Sequence, residues 1–330
     1  MNSRHNTKER SASTPVGADD DEQYPARPVT LTLPFPLGGS TGYTATVLAR
    51  ELEPVFGQPV TVEPKTGQVG INALQHLVDN PDGDTLLVGN LTSNSMTPVF
   101  HRDKMGFDYL KEIAPVSKLA DFSSIVMTQV SFPADTLAAV LAHLKKTSGR
   151  LVYGTDFLGA YVDVDAINLG RASGLKVAYH ATDGASGILA DLLAGRTDVA
   201  FINVATATAN IGKFKPLAVY GAQRLPNFPD VPTMAEAGFP GIGTGNWQGL
   251  FASRRMPPKT IARLHRAAVA AMSTPSAKEA FRYVDATLIT SASPEAFAAE
   301  ITSEMAVWER MKPEIMTLPQ EDPKQRSQRI

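Results

Sequence analysis

Two groups of residues carry chemistry. The first is Gly38-Gly39-Ser40-Thr41, a short loop between an alternating apolar run and a helix-like run. A helix that opens here leaves its first backbone N–H groups without intrahelical partners and with a positive partial charge, and such groups bind anions. The glycines let a ligand approach the backbone, and the Ser40 and Thr41 hydroxyls can donate hydrogen bonds to a carboxylate. The plainer reading of the same string is a turn followed by an N-cap at Ser40 or Thr41.

The second group is Asp156, Asp163, His180 and Asp183. Converging in a cleft, a carboxylate with a raised pKa could act there as a general base. The local alternative is structural: Asp163 and Asp165 suit the first turn of a helix, where the macrodipole favours acids, and Asp183 suits an N-cap before Gly184. No zinc-protease, phosphate-loop or nucleophile-elbow string is present, and Gly241, Gly243 and Gly245 miss the dinucleotide fingerprint. His5, His76, His101, His143 and His265 lack ligand spacing, so no metal and no cofactor is expected.

The elements that must position these groups alternate along the chain. Val29, Leu31 and Leu33 read as a strand, residues 41–56 as an amphipathic helix stopped at Gly57, and residues 60–62 as the next strand. The rhythm continues with a helix near 71–78, a turn at Pro81-Asp82-Gly83, a strand at 85–88 and a polar loop at 89–94. After residues 123–127 come a helix near 137–146, a strand at 151–153, a glycine-bearing loop at 154–160 and a further helix. A strand at 177–179, a helix near 185–194, strands at 199–202 and 217–220, an irregular stretch at 225–245 and closing helices at 259–272, 276–284 and 294–311 complete the reading. Strands alternating with helices predict an α/β fold with a mostly parallel sheet.

Composition bounds the partners. The chain has 330 residues, 43% hydrophobic and 19% charged, enough for about two ordinary domains. Its 31 Lys and Arg against 33 Asp and Glu give a net charge of −2 and no basic block, so nucleic acid is not an expected partner. No apolar run approaches the roughly 18 to 20 residues that cross a bilayer, so direct membrane insertion is not expected. Cysteine is absent, which removes disulfides and thiolate sites but leaves the compartment undecided. Residues 1–23 are polar and lack the apolar core of a secretion signal, which predicts a cytoplasmic location if the sequence as written is complete.

From Tyr24 to about Lys312 the chain resembles the Bug-type extracytoplasmic receptors of tripartite tricarboxylate transporters. The resemblance is carried by Tyr24-Pro25-Ala26-Arg27-Pro28-Val29, Pro34-Phe35-Pro36 with Gly38-Gly39-Ser40-Thr41, and Pro81-Asp82-Gly83 before Thr85. Later segments continue it: Asp191-Leu192-Leu193-Ala194-Gly195, Leu217-Ala218-Val219 with Arg224, Pro229-Asp230-Val231-Pro232-Thr233 with Glu236-Ala237-Gly238, and Trp247 with Gly249-Leu250-Phe251-Ala252.

The resemblance implies a two-lobed class II periplasmic-binding-protein fold. It sets lobe 1 at residues 24–124 plus 247–318 and lobe 2 at 125–246, with crossovers near Ser124 and Asn246, a flexible start at 1–23 and a flexible tail at 319–330. It implies a periplasmic receptor that captures a small organic acid in the interlobe cleft and hands it to transporter membrane subunits. The implied contacts are Phe35, Pro36, Gly38, Gly39, Ser40, Thr41, Tyr43, Thr92, Ser93, Thr155, Asp156, Gly159, Ala160, Tyr161, Asp183, Asn203 and Ala205. Phe157 and Trp247 join Tyr43 and Tyr161 as aromatics near the cleft, with core packing favoured for Trp247.

Three departures from the family pattern stand out. Gly42 replaces an aspartate common beside the first loop; Asp156, Phe157, Leu158, Tyr161 and Asp163 replace a small polar run that commonly ends in His; and residues 180–186 are longer than the usual lysine-glycine turn. These changes predict a more apolar, differently charged pocket. The alternative function is a cytosolic isomerase, lyase or hydrolase on the same scaffold, with Asp156, Asp183 or His180 moving a proton.

Overall fold

The computed structural model describes residues 24–182 and 184–321. The flexible start expected at 1–23, the candidate residue Asp183 and the end of the expected tail, 322–330, lie outside the described residues.

The first sheet begins with the alternating run. β1 (Val29–Leu33) buries Val29, Leu31 and Leu33 completely and pairs in parallel with β2 (Val60–Pro64) and β3 (Thr85–Asn90). α1 (Ser40–Phe56) and α2 (Ile71–Asp79) connect them. Gly57 stops α1 in the left-handed region at φ 64°, a conformation glycine adopts without a Cβ clash, and its N–H bonds to the Glu53 carbonyl. The short helices α3 (Thr97–Phe100) and α4 (Tyr109–Glu112) lead into β4 (Ile113–Phe122).

The chain then crosses at Ser123 into a second sheet. Its elements are β5 (Ser124–Thr128), α5 (Leu137–Thr147), β6 (Arg150–Thr155), α6 (Tyr161–Ser173), β7 (Lys176–Ala181), α7 (Gly184–Leu193), β8 (Ala200–Asn203), α8 (Val204–Thr208) and β9 (Lys215–Val219). β5 pairs antiparallel with β8 and β9, β6 pairs in parallel with β7, and a bridge between Tyr153 and Val199 joins the two sets. The irregular stretch returns the chain to the first sheet as β10 (Asn246–Ser253), followed by α9 (Pro258–Met272), α10 (Pro275–Tyr283), β11 (Ala286–Leu288) and α11 (Pro294–Ile315).

The first sheet has the order β11-β4-β10-β3-β1-β2. The mostly parallel sheet expected from the strand–helix rhythm is replaced by mixed ones. β10 returns from the second sheet and runs antiparallel between β3 and β4, because a chain that leaves along β4 and comes back from the other sheet arrives head-on. The expected loose tail is also corrected at its start: Gln320 bridges to Tyr179, the Tyr179 N–H donates to the Pro319 carbonyl, and the Glu321 N–H donates to the Tyr179 carbonyl. Residues 319–321 thus cover the open edge of β7, which would otherwise expose unpaired backbone groups.

Candidate functional site

α1 opens at the predicted loop, with the cap one residue earlier than the simple reading sets it. Gly39 is the N-cap, and no side chain caps the helix. Ser40, Thr41 and Gly42 are therefore the first helical residues, and their N–H groups lie ahead of the first intrahelical bond, which Tyr43 donates to Gly39 at 2.9 Å. A Cβ built on Gly38 or Gly39 meets nothing within 4 Å, so open space faces this backbone. Gly42 is different: a Cβ there would stand 2.1 Å from the Leu37 carbonyl oxygen. The loop fold thus excludes every side chain at the position where the resemblance leads one to expect an aspartate.

The Ser40 and Thr41 side chains are buried and enter a polar network. Thr41 Oγ1 donates to Gln248 Oε1 at 2.7 Å and accepts from Asn90 Nδ2 at 3.0 Å. Gln248 Nε2 reaches Ser40 Oγ at 3.3 Å and the Asn246 carbonyl at 3.2 Å. The Thr41 hydroxyl, expected to face a ligand directly, has both its donor and an acceptor site committed within the protein.

The neighbouring loops are held in the same way. Ser93 donates to Asn94 Oδ1 at 2.6 Å and accepts from the Asn90 N–H at 3.0 Å, inside the buried π-helical turn 92–96 that also contains Thr92. Asn203 Oδ1 caps α8 by accepting from the Thr206 N–H at 3.0 Å. Ser124 pairs with Asn203 across the second sheet, while Phe122 pairs with Asn246 across the first. Ser40, through Gln248 and Asn246, and Asn203, through Ser124, thereby both lie beside the chain's passages between the two sheets.

The loop from β6 to α6 folds against the end of α3. Asp163 accepts from the Tyr153 hydroxyl at 2.6 Å and from the Gly159 and Ala160 N–H groups at 2.7 and 2.8 Å. Burial pushes its carboxyl up to about 6, and these donors oppose the shift. A Cβ on Gly159, where φ is 98°, would lie 2.7 Å from the Phe100 side chain. His101 Nε2 stands 2.8 Å from the Leu158 carbonyl, and its ring meets Phe157 edge-on at 5.9 Å. The His101 position expected to be surface or ordinary packing is thus a contact between α3 and this loop.

Other predicted residues separate. The Tyr43 hydroxyl donates to the Ala280 carbonyl, and its ring meets Phe281, so its polar end is directed to α10. Phe35 and Pro36 lie in the partly exposed loop before Gly38, and Ala205 packs against the core. Thr155 donates to the Phe157 carbonyl at 2.9 Å, and Asp156 accepts from Thr182 at 3.3 Å. His180 faces Asp191, 3.4 Å away, and Arg196 pairs with the same carboxylate at 2.6 Å, so the imidazole is directed to α7 rather than to Asp156. Trp247 is core, as favoured, with its indole N–H donating to Glu304 at 3.0 Å.

Sequence reasoning missed Asn90, Asn246 and Gln248 as organisers of the site. Gln248 did leave a signal: a lone amide between Trp247 and an apolar run is a buried polar group that must find partners. Asp165, read from the sequence as a first-turn acid, lies beyond the first turn of α6, where its Oδ1 accepts from the Thr244 N–H at 2.8 Å and burial pushes its carboxyl up to about 7. Two prominent hollows, of about 530 and 420 Å³, lie elsewhere, beside Arg171 and Phe239 and beside His143 and Thr197. Among the described residues, no cluster of His, Asp or Glu could hold a metal ion, and no helix is long and apolar enough to cross a membrane.

Comparison with known proteins extends this geometry. Residues 44–312 match the family model described as tripartite tricarboxylate transporter family receptor. The chain is 29% identical over 299 residues to protein BugT of Bordetella pertussis, covering 90% of each. The solved periplasmic binding protein BugD superposes with a TM-score of 0.79 at 26% identity, covering 90% of this chain and 100% of that one. MatC of Rhodopseudomonas palustris, with bound malate, gives 0.77 at 26% identity, covering 88% and 100%. The fold is therefore the two-lobed class II periplasmic-binding-protein fold.

Proposed function

Since the chain belongs to the tripartite tricarboxylate transporter receptor family, we propose that it is a solute receptor that captures a small organic acid between its lobes. The lobes follow the expected division into residues 24–124 plus 247–318 and residues 125–246, shifted by one residue at each crossover, since Ser124 opens β5 and Asn246 opens β10. The observation that carries the reading is the start of α1: amide groups ahead of the first intrahelical bond, beside two glycines that face open space. Such amides bind a carboxylate without a neighbouring cation, because the aligned peptide dipoles supply the charge.

Malate in the related MatC structure supports a carboxylate ligand. Gly38, Gly39, Ser40 and Thr41 contact it through backbone and Ser40 hydroxyl, with Gln248 and Asn90 holding Thr41 in place. Phe35, Pro36, Thr92, Ser93 and residues of the 155–161 and 203–205 loops complete the wall. Hinge motion about Ser123 and the 221–245 segment gates access. The loaded receptor delivers its acid to the membrane subunits of a transporter from the periplasmic side.

Thermal-shift and calorimetric titration against mono-, di- and tricarboxylates tests this, with the ligand recovered and identified afterwards. A ligand at about 100 times its Kd stabilises the fold by about 2.7 kcal/mol. Stabilisation with the acid returned unchanged is expected; a consumed acid, or none that stabilises, overturns the reading.

A further inference from the structure

The two arms of the network around Thr41 share a support on the far face of the first sheet. Trp247 and Gln248 are neighbours on β10, so their side chains leave opposite faces. Gln248 reaches Thr41 and Ser40 at the start of α1, while Trp247 packs under α11 against Phe297. There its indole N–H is shared by the two oxygens of the Glu304 carboxyl, at 3.0 and 3.2 Å.

The second arm runs through the π-helical turn 92–96. Asn90 donates to Thr41 and accepts from the Ser93 N–H. Two residues further on, the Ser95 hydroxyl bonds to Glu304 and accepts from the Trp308 indole at 2.8 Å. Ser95 is fully buried, and Trp308 lies one turn beyond Glu304 on α11. One carboxyl thus touches both the strand that carries Gln248 and the turn that carries Ser93.

The charge state of that carboxyl sets what it can hold. As a carboxylate it has only acceptors, and it takes both the indole N–H and the serine O–H. As a neutral acid it must place a proton of its own; donated to Ser95, that proton turns the hydroxyl round and leaves the serine hydrogen without the carboxylate inside a buried turn. Burial lifts the Glu304 carboxyl to about 7, with Glu300 of the same helix adding to the rise and Lys118 of β4 opposing it. Lys118 is itself paired with Glu300 at 2.8 Å and with Asp121 at 3.3 Å. Tyr109 of α4 accepts from Asn94 of the same turn; burial raises its phenol against that bond and Arg254, with Glu304 adding, so it stays neutral.

We propose that Glu304 is a positioning residue for the carboxylate site: when ionised it holds both arms of the Thr41 network, so a solute acid binds more tightly to the ionised form. This rests on the receptor reading above. By reciprocity, binding of the acid expels a proton from Glu304.

Calorimetric titration of the full chain with malate, succinate and adipate from about pH 6 to about pH 8.5 tests this, a range in which these acids are themselves largely ionised. Affinity for at least one of them rises about 3-fold or more with pH. Glu304→Gln keeps an acceptor and puts a fixed donor in place of the acid O–H, so its affinity stays level, near the native value at the acid end. Ser95→Ala cuts the bond to the turn while leaving Glu304 in place; it also levels the profile, and it decides the matter if the glutamine variant fails to fold. A level native profile, or a slope that survives either substitution, overturns this inference alone. Binding of no acid at any pH overturns the receptor reading, and this inference with it.

Discussion

Glu321, its side chain 3% exposed, places its carboxylate 3.1 Å from the Arg150 guanidinium, tying the residues after α11 to the first residue of β6. α11 packs Phe297, Ile301 and Met305 against Trp247 and Phe251 of the first sheet. Residues 319–321 therefore tie α11 to the second sheet as a third, non-covalent link beside the two crossovers, and Arg171 adds an ion pair to Glu314 along the same route.

Truncation after Leu318 tests the role of this link. It removes two backbone hydrogen bonds to Tyr179 and leaves Arg150 without Glu321. The melting temperature should fall by several degrees, and a bound acid should dissociate at least several-fold faster, because opening no longer breaks the strand. Stopped-flow dissociation reads the second effect; an unchanged rate would show that the link does not restrain the hinge.

Gly42 should tolerate no side chain. With the Leu37 carbonyl 2.1 Å from the would-be Cβ, Gly42→Ala must displace the 37–39 loop or the first turn of α1. Overpacking of this kind costs about 1–3 kcal/mol. Gly42→Asp should lower stability at least as much and abolish acid binding in a calorimetric titration. Wild-type binding in either variant would contradict the geometry.

The Thr41 network predicts a contrast between two substitutions. Thr41→Val keeps the shape but leaves Gln248 Oε1 and Asn90 Nδ2 unpaired in a buried site, a penalty of about 1–3 kcal/mol. Urea unfolding should show that loss, and acid affinity should fall about 10-fold or more as the first turn of α1 loosens. Thr41→Ser retains the hydroxyl and should recover most of both. Failure of serine to rescue would mean that the methyl packing, not the hydrogen bonds, matters.

These effects divide along what the sequence exposed. Period-2 and period-3.6 patterns revealed β1, α1, α2, β3, α5, β6 and the closing helices, because local burial dictates them. β4 was not legible: Pro115 interrupts it, and a proline is accommodated there by the register shift against Leu250 and Phe251 of β10, on a stretch that β11, paired only at residues 120–122, does not reach. The Gly38-Gly39-Ser40-Thr41 loop was legible as a helix start, while its capping by Gly39 and the partners of Thr41 were not. Gln248 lies 207 residues from Thr41, and a pairing made only by tertiary contact leaves no local pattern. The carboxyl of Asp165 was misjudged for the same reason, since its nearest groups come from the crossover at Thr244.

Buried acids give the fold a definite response to pH. Burial raises the Glu304 carboxyl from its ordinary 4.5 to about 7, with the Trp247 and Ser95 hydrogen bonds opposing and Glu300 adding to the shift. Asp165 and Asp163 rise in the same direction, to about 7 and about 6. Between about pH 4.5 and 7 the folded chain holds protons that the unfolded chain has released, so stability is fullest below that window and declines as pH rises through it. His101, whose pKa burial lowers, works the other way near the top of the window. Glu304→Gln keeps an acceptor for the Trp247 indole but cannot titrate, so its melting temperature should fall less steeply than that of the native chain between pH 4.5 and 7. Parallel melting curves for the two proteins across that window would show that Glu304 is ionised in the fold, and the indole would then be bonding a carboxylate rather than a neutral acid.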